Sequence, residues 1–351
     1  MTAAQALAPT ADAIRVAWAA STAETGNGMG YTRMSRALQA AFVEAGGVID
    51  QDAELALHVT YAPHFQPIPG RRNALMTMWE SEPVPAPFVA ALQRADAIIA
   101  PSRWVADVMR RAAQVPCVWI VPLGIDPKLW LRVVRHPPQK RPFRWLWVGA
   151  HNHRKGWLHV TEAWKLGFLG RTDCELYLKT TEIDPEYVAA LAAGYSIPAG
   201  SVRRQNNVVL DTRKVSDAEL FQLYAQADGF VLPHMGEGYG CTLSEAMATA
   251  LPCVSILTTG VTQFADASVC RPVTWHYEDV QVCPVAGDAI VTVRTCSADI
   301  PDLVAQMAWV MAHPIKAREL GLRASKRVHG QHTWGEAGRR LLRAVGEITS
   351  G

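Results

Sequence analysis

The chain has 351 residues, 49% of them hydrophobic, which is enough for two α/β domains with separate cores. Only 19% are charged and the net charge is +2, which excludes a protein that coats nucleic acid through a large basic surface. No apolar run approaches the ~20 residues of a membrane span, and the first residues lack the pattern of a signal peptide. Seven scattered cysteines without a Cys-x-x-Cys pair indicate free thiols in a reducing compartment, so we expect a cytoplasmic protein.

The first predicted strand, residues 14–19, leads into a glycine-rich loop, residues 26–30, and then a helix over 31–44. A strand, a glycine loop and a helix N-terminus form a common ligand cradle, so Gly28 and Gly30 are candidate contacts. The glycine spacing departs from the dinucleotide fingerprint, and no acidic residue clearly closes the unit. A nicotinamide dehydrogenase is therefore a disfavoured alternative.

Strands and helices alternate through the rest of the first half. Strands are predicted over 55–61, 74–79, 97–101 and 117–121, and helices over 87–94 and 104–113. This alternation predicts a mostly parallel sheet with helices on both faces, and such sheets bind ligands at the carboxyl ends of their strands. Trp79 and Glu80 stand at one of those ends.

A proline-rich segment, residues 126–143, is predicted to be a stiff, solvated hinge between two domains. The second domain, residues 144–330, opens with a strand over 144–148, a polar loop and a helix from Trp157. Arg154 and Lys155 in that loop predict a diphosphate site. His151 and His153 could instead bind a metal, although two histidines without a third ligand are weak evidence.

The most informative motif of the second domain contains two carboxylates that are eight residues apart. A strand over 229–233 leads into Gly-Glu-Gly-Tyr-Gly-Cys-Thr, which places Glu237 in a glycine-rich turn and Glu245 in the first turn of a helix. The helix N-terminus offers free N–H groups and a positive dipole end, so the two acids can face different parts of a polar ligand. Alternatively, Glu245 only completes a capping box that begins at Thr242.

The wider pattern of this stretch, with Ser-Glu-Ala-Met-Ala and Leu-Pro-Cys-Val-Ser after the turn, resembles the Glu-x7-Glu signature of the family 4 retaining glycosyltransferases. The resemblance implies an α/β protein of the GT-B fold, with two Rossmann-like doubly wound domains that face a cleft. It implies a first domain over 1–125, a nucleotide-sugar domain over 144–330 and a last helix over 334–349 that packs back on the first domain. The implied enzyme is of the hexosyltransferase type. It moves a sugar from a nucleotide-diphosphate sugar to a hydroxyl of a glycan, a lipid or a small molecule.

The resemblance also implies a role for each motif. Glu245 would hold the ribose hydroxyls, Glu237 the donor sugar, and Arg154 and Lys155 the leaving diphosphate. The implied co-substrate is a UDP- or GDP-sugar, with no permanently bound cofactor and no metal. The candidate catalytic residues are Glu237, Lys155, Arg154 and Glu80; the donor-binding candidates are Gly149, Thr180, Val209, Gly238, Tyr239, Gly240, Cys241, Thr242 and Glu245; the acceptor-side candidates are Gly28, Gly30 and Trp79.

The chain departs from the family pattern at two places. Where the family has a His-Asp pair this chain has Trp79-Glu80, and the family's phosphate-binding arginine falls on Ala150. Glu80 could supply the polar group while Trp79 stacks on a sugar, or the two could be a surface cap and a core residue. Arg154 would compensate for Ala150, with His151 or Asn152 as other options.

Three further possibilities remain open at this stage. His58 and His64 are weaker candidates for a histidine in the first domain's site. A catalytically silent sugar-nucleotide-binding module is one alternative function. Transfer to modified bases of DNA is another, but residues 1–125 contain 9 Arg and no Lys against 10 Asp plus Glu, which offers a DNA acceptor little charge.

Overall fold

The computed structural model describes residues 13–19, 27–115, 117–136, 141–181, 200–283 and 289–351. The chain forms two compact units, and neither is continuous in sequence. The first consists of Met1–Met78, Val84–Leu123 and Trp334–Gly351, and the second of Trp79–Pro83 and Gly124–Thr333.

Six strands form the sheet of the first unit: β1 Arg15–Ala19, β2 Val48–Ile49, β3 Leu55–Val59, β4 Arg72–Met76, β5 Ala97–Ala100 and β6 Val118–Ile120. They are parallel in the order β2-β1-β3-β4-β5-β6. All residues of β3 and β5 are buried, as is typical of parallel strands with helices on both faces.

Three helices follow strands of this sheet: α1 Asn27–Glu44, α2 Ala86–Gln93 and α3 Arg103–Ala113. The prediction of a glycine loop before residue 31 is wrong, because α1 already begins at Asn27 and includes Gly28 and Gly30 in its first turn. The buried face of α1 explains this: Met34, Leu38 and Phe42 are nearly inaccessible to solvent, and this packing outweighs the ~1 kcal/mol cost of each helical glycine. Gly26 lies outside the described residues.

Seven strands form the sheet of the second unit: β7 Phe143–Val148, β8 Cys174–Lys179, β9 Val202–Gln205, β10 Val208–Asp211, β11 Gly229–Leu232, β12 Cys253–Ser255 and β13 Arg271–Pro272. Their order is β13-β12-β11-β7-β8-β10-β9, with parallel neighbours except for the antiparallel pair β9 and β10. The strand order reverses between β7 and β11. In open α/β sheets, ligands bind at such a switch point, beyond the carboxyl ends of the strands.

The described helices of the second unit are α4 Trp157–Gly167, α5 Asp217–Gln226, α6 Cys241–Ala248, α7 Ile300–Ala312 and α8 Pro314–Gln331. Short 3-10 helices cover His153–Lys155 and Thr259–Gln263. Within the described ranges, no helix combines the length and hydropathy of a membrane span.

An antiparallel hairpin, β14 Trp275–Val282 and β15 Val291–Ala298, completes the second unit. The edge of β15 that faces away from β14 also forms hydrogen bonds. The Arg294 N–H donates to the carbonyl of Glu82 (2.5 Å), and the Cys296 N–H donates to that of Met235 (3.0 Å). We call residues 79–83 the strap, because β15 holds this short segment within the second unit.

Residues 126–143 lie within the second unit, and the prediction of a solvated hinge is wrong at Arg135. Its half-buried guanidinium donates to the carbonyls of Tyr224 (3.0 Å), Ala227 (2.5 Å) and Thr249 (2.9 Å). Tyr224 belongs to the last turn of α5, and Ala227 and Thr249 directly follow α5 and α6, where helix carbonyls lack partners of their own. Burial lowers the pKa of Arg135 to about 10, so the side chain stays charged at neutral pH. Pro137, Pro138 and Lys140 lie outside the described residues.

The last helix, α9 Trp334–Ser350, belongs to the first unit and packs against α1. A Cβ atom placed on Gly338 would lie 2.1 Å from the carbonyl oxygen of Ala41, so the two helix backbones touch. The Trp119 indole N–H donates to Glu347 of this helix (3.0 Å).

Candidate active site

Two loops meet beyond the carboxyl ends of the neighbouring strands β7 and β11. The Met235 N–H of one loop donates to the Arg154 carbonyl of the other (2.7 Å). Gly156 allows the loops to come this close: it has φ +68°, and a Cβ atom there would lie 1.8 Å from the Pro233 carbonyl oxygen. Residues 154–156 and 233–237 are therefore adjacent because their strands are adjacent.

The centre of this arrangement is an ion pair between the two loops. Lys155 Nζ lies 2.6 Å from Glu237 Oε1, and Arg154 Nη1 lies 3.6 Å from Glu237 Oε2. Arg154 Nη1 also donates to the Gly236 carbonyl (2.7 Å). Burial alone would raise the pKa of Glu237, but Lys155 and Arg154 outweigh it and lower that pKa to about 2. The carboxylate is charged at neutral pH.

The strap brings a second carboxylate to the same guanidinium. Glu80 Oε1 lies 3.4 Å from Arg154 Nη2. A Cβ atom on Gly236 would lie 2.2 Å from the Glu80 carbonyl oxygen, so the strap packs directly on the glycine-rich turn. Because Glu80 contacts Arg154, it is not the surface cap that was one of the two alternatives for this residue. Trp79 is buried, with 7% of its surface exposed.

The N-terminus of α6 lies in the same turn. Gly240 precedes the helix with φ +98°, and no side chain caps the helix at this residue. The capping-box alternative is wrong, because the helix begins at Cys241, one residue before Thr242. Glu245 Oε2 instead accepts a hydrogen bond from the buried Tyr224 hydroxyl (3.1 Å). Thr242 Oγ1 is buried and has no partner among the described residues.

The loop after β12 forms hydrogen bonds with the backbone of the glycine-rich turn at Glu237. Thr259 Oγ1 accepts from the Glu237 N–H (3.1 Å), and the Gly260 N–H donates to the Glu237 carbonyl (2.7 Å). Thr259 has φ +57°, which is strained for a β-branched residue and occurs where the surrounding fold imposes it. The Tyr239 side chain is buried and lies 3.2 Å from His332 Nδ1, so Tyr239 can offer a ligand only its backbone.

His234 is a residue of this region that the motif pattern did not predict. Its ring is fully buried, and Nε2 lies 3.0 Å from the Ile256 carbonyl, which requires a proton on Nε2. Nδ1 is buried without a partner in the part of the chain that the structure describes. Burial lowers the pKa of His234 to about 4, against the opposing charge of Glu237. No local sequence signal distinguishes this histidine from a surface residue.

Two other predicted donor-binding residues, Gly149 and Thr180, lie at strand ends. The Gly149 N–H donates to the Lys179 carbonyl (3.1 Å), and the Thr180 N–H donates to the Asp211 carbonyl (3.0 Å), so both follow strands of the second sheet. Cys241 is exposed at the start of α6. Val209 differs, because it lies inside β10 with its side chain buried and not at the carboxyl end of that strand.

The predicted histidines are not brought together. His151 stacks on Trp157 with ring centroids 4.2 Å apart, and the described residues contain no group of three His, Cys, Asp or Glu that could hold a metal. In the first unit, His58 is buried within β3 and bonds to Asn73 (2.9 Å), and His64 is exposed at the end of a 3-10 turn. Gly28 and Gly30 also belong to the first unit.

Comparison with protein-family models gives one match, to "Family 4 Glycosyltransferase in conflict systems", over residues 89–341. The match covers more than half of the chain. The chain belongs to this family. The resemblance to the family 4 glycosyltransferases and the prediction of a glycosyltransferase are confirmed. No curated protein matches the sequence.

Solved structures support the fold of this glycosyltransferase. Sucrose-phosphate synthase from Thermosynechococcus elongatus is 16% identical with a TM-score of 0.64, covering 93% of this chain and 80% of that one. WaaG, a glycosyltransferase of lipopolysaccharide biosynthesis, is 14% identical with a TM-score of 0.63, covering 96% and 100%. Alr3699/HepE of Anabaena, solved with UDP and glucose, is 12% identical with a TM-score of 0.59, covering 93% and 84%. The predicted GT-B fold with two Rossmann-like domains is confirmed.

Proposed function

We propose that this glycosyltransferase moves a sugar from a nucleotide-diphosphate sugar to a hydroxyl of a glycan, lipid or small molecule, with retention at the anomeric carbon. The observation that carries the proposal is the 2.6 Å contact between Lys155 and Glu237 at the N-terminal end of α6. It brings a cation, a carboxylate and a helix N-terminus together, which suits a phosphate next to a sugar. The UDP and glucose in HepE support this donor class, and retention rests on the resemblance of the Glu-x7-Glu motif.

The two motif acids would bind opposite ends of the donor. Glu245 is a buried carboxylate that accepts from the Tyr224 hydroxyl, and a carboxylate is the acceptor type that recognises the two hydroxyls of a ribose. Glu237, with the backbone of residues 238–240, would bind hydroxyls of the transferred sugar. The unpartnered Thr242 hydroxyl would bind the phosphate as a donor.

The basic pair would stabilise the leaving group. Breaking a glycosyl–phosphate bond places negative charge on the diphosphate, and fixed cations bind that state more strongly than the ground state. Within the described residues, Glu237 accepts one hydrogen of the Lys155 ammonium, so the other two remain for phosphate oxygens. Glu80 would hold the Arg154 guanidinium in place. Because these two cations neutralise the phosphates, we expect a chelator to leave donor binding unchanged.

A binding experiment tests the donor class first. We expect one series of UDP-, GDP-, ADP- or dTDP-sugars to raise the melting temperature in the presence of a chelator, since a ligand of the folded state stabilises it. Calorimetric titration of the responding nucleotide sugar should then show roughly 10- to 100-fold weaker binding to Glu245→Gln, because hydrogen bonds to a charged group are lost. Tyr224→Phe is the matched control: it keeps the carboxylate and should retain affinity within about threefold.

Turnover tests the chemistry. We expect Lys155→Ala to lower the rate by roughly 10²- to 10³-fold at saturating donor, as the loss of a group that stabilises transition-state charge does. The anomeric configuration of the product, read by NMR, tests retention. If no nucleotide sugar binds the folded protein, or if Glu245→Gln binds as tightly as the native chain, the proposal is wrong.

A further inference from the structure

The second unit contains a cavity of about 220 Å³ next to the C-terminal end of α6, opposite the end that carries Gly240. Four apolar residues and three arginines line it: Val133, Val134, Ala250, Leu322, Arg132, Arg135 and Arg318. No carboxylate is among these lining residues. Three positive charges around one small cavity repel one another unless an anion or solvent compensates them.

The helix end does not require these charges. The Thr249 carbonyl at the end of α6 accepts from Arg135 (2.9 Å), and the Ala248 carbonyl accepts from the Ser325 hydroxyl (2.9 Å). His329 Nε2 also lies 3.2 Å from the Ala248 carbonyl. The carbonyls that end α6 therefore have partners without Arg132 or Arg318.

Arg132 and Arg318 are exposed at the rim of the cavity. Neither makes a hydrogen bond or an ion pair with any residue that the structure describes, whereas Arg135 has partners in the fold. Asp228, the acid whose charge acts on Arg135, is bound by Arg141 (2.8 Å). No acid of the described chain thus forms an ion pair with either rim arginine.

We propose that this cavity binds the phosphate group of a small organic phosphate between Arg132 and Arg318, as a site separate from the donor site. The planar guanidinium binds phosphate oxygens in pairs, and two such groups match the double charge of a phosphate monoester. The apolar walls from Val133, Val134 and Leu322 fit a short apolar substituent on that phosphate. The volume is below the ~300–1,000 Å³ of sites for larger ligands, so the ligand is small.

Calorimetric titration with phenyl phosphate tests the site, because this probe presents a dianionic phosphate on an apolar ring. The native chain is compared with R132Q/R318Q and with K316Q/K326Q. The second pair removes two positive charges from exposed positions of α8 that do not line the cavity. All four side chains are exposed, so both variants should fold, and their thermal unfolding verifies this. We expect the dissociation constant to rise at least tenfold in R132Q/R318Q and less than twofold in K316Q/K326Q.

A second measurement separates a free phosphate ester from a lipid headgroup. Vesicles of phosphatidylcholine with phosphatidic acid, whose headgroup is a phosphate monoester, are sedimented with the same three proteins. The site is supported if R132Q/R318Q loses binding of either probe while K316Q/K326Q keeps it. The probe that the native chain binds then identifies the source of the phosphate. Equal loss in both double variants, equal retention in both, or no binding of either probe to the native chain would overturn the proposal.

Discussion

His234 shows how a single buried side chain ties the stability of the folded protein to pH. Its ring is neutral at pH 7 because burial lowers its pKa from 6.5 to about 4. Lys155 and Arg154 near it also disfavour the charged form, while Glu237 favours it. In the unfolded chain the ring takes up a proton near pH 6.5. The stability that the neutral ring provides is therefore complete above pH 6.5 and is lost as the pH falls toward 4.

We expect His234→Gln to flatten this part of the pH profile. The glutamine amide can still donate to the Ile256 carbonyl but cannot take up a proton. Urea unfolding at pH 7 and pH 4.5 should show that the native chain loses up to about 3 kcal/mol more than the variant over this range. The comparison is needed because burial also lowers the pKa of His58 and His159, which are present in both proteins. Equal losses in both proteins would contradict the prediction.

The contribution of Glu237 to stability changes in a different pH range, so it can be separated from the contribution of His234. Its pKa is about 2 in the folded protein against 4.5 for the free side chain. The stability that its charge contributes is present above pH 4.5 and is lost only as the pH falls toward 2. Measurements at pH 4.5 and above therefore report mainly on the histidines.

At the level of residues, the sequence predicted the groups that form local motifs. Glu237 and Glu245 stand in one turn and one helix, and Lys155 precedes another helix, so each lies within a short sequence motif, and the resemblance to the family pattern singles it out. Tyr224 and His234 carry no such pattern, because their partners, Glu245 and the Ile256 carbonyl, lie 21 and 22 residues away. Such contacts depend on strand order, which no window of sequence contains.

Among the elements, strand β15 aligns two parts of the candidate active site. Its free edge bonds to Glu82 of the strap and to Met235 of the loop that carries Glu237. Glu80 and Glu237 each lie two residues from one of these bonds, and they contact different nitrogens, Nη2 and Nη1, of the Arg154 guanidinium. The hairpin thus holds both acids against one cation without contributing a side chain to it.

We expect Arg294→Pro to reduce turnover about three- to tenfold while donor affinity stays within about twofold, because proline removes the N–H that binds the strap. Proline is tolerated here, since this N–H lies on the edge away from β14. Arg294→Ala is the matched control. It removes the side-chain contact with Asp279 but keeps the N–H, and it should have native turnover. If the alanine variant loses as much activity as the proline variant, the strap contact is not the cause.

Element boundaries were predicted less well where packing overrides local propensity. The glycines before Tyr31 suggested a loop, but the buried face of α1 extends the helix to Asn27. The prolines near Arg135 suggested a solvated hinge, but the carbonyls at the ends of α5 and α6 require a donor. In both cases the local conformation is determined by contacts with another secondary-structure element, which the local sequence does not contain.

For the molecule as a whole, the first unit is assembled from three separate stretches of chain, and α9 supplies the last of them. Gly338 and Gly346 of this helix provide a matched pair. A Cβ atom on Gly338 would lie 2.1 Å from the Ala41 carbonyl oxygen, whereas on Gly346 it would lie 3.0 Å from the flexible end of Ile14.

We expect Gly338→Ala to destabilise the protein by about 1–3 kcal/mol, because the two helix backbones must separate. Gly346→Ala should be neutral or stabilising by up to about 1 kcal/mol, because alanine favours the helix and the isoleucine can move. Thermal unfolding of both variants measures the difference. Similar melting temperatures for the two would show that the close contact between α9 and α1 is not required.

The strap also has a consequence for building hybrid enzymes. A single crossover near residue 124, the obvious place to exchange the second unit between related transferases, leaves residues 79–83 with the other parent. The hybrid would then combine Arg154 and β15 from one enzyme with a foreign segment at the position of Glu80. Exchanges that transfer residues 79–83 together with 124–333 keep the acidic pair around Arg154 intact.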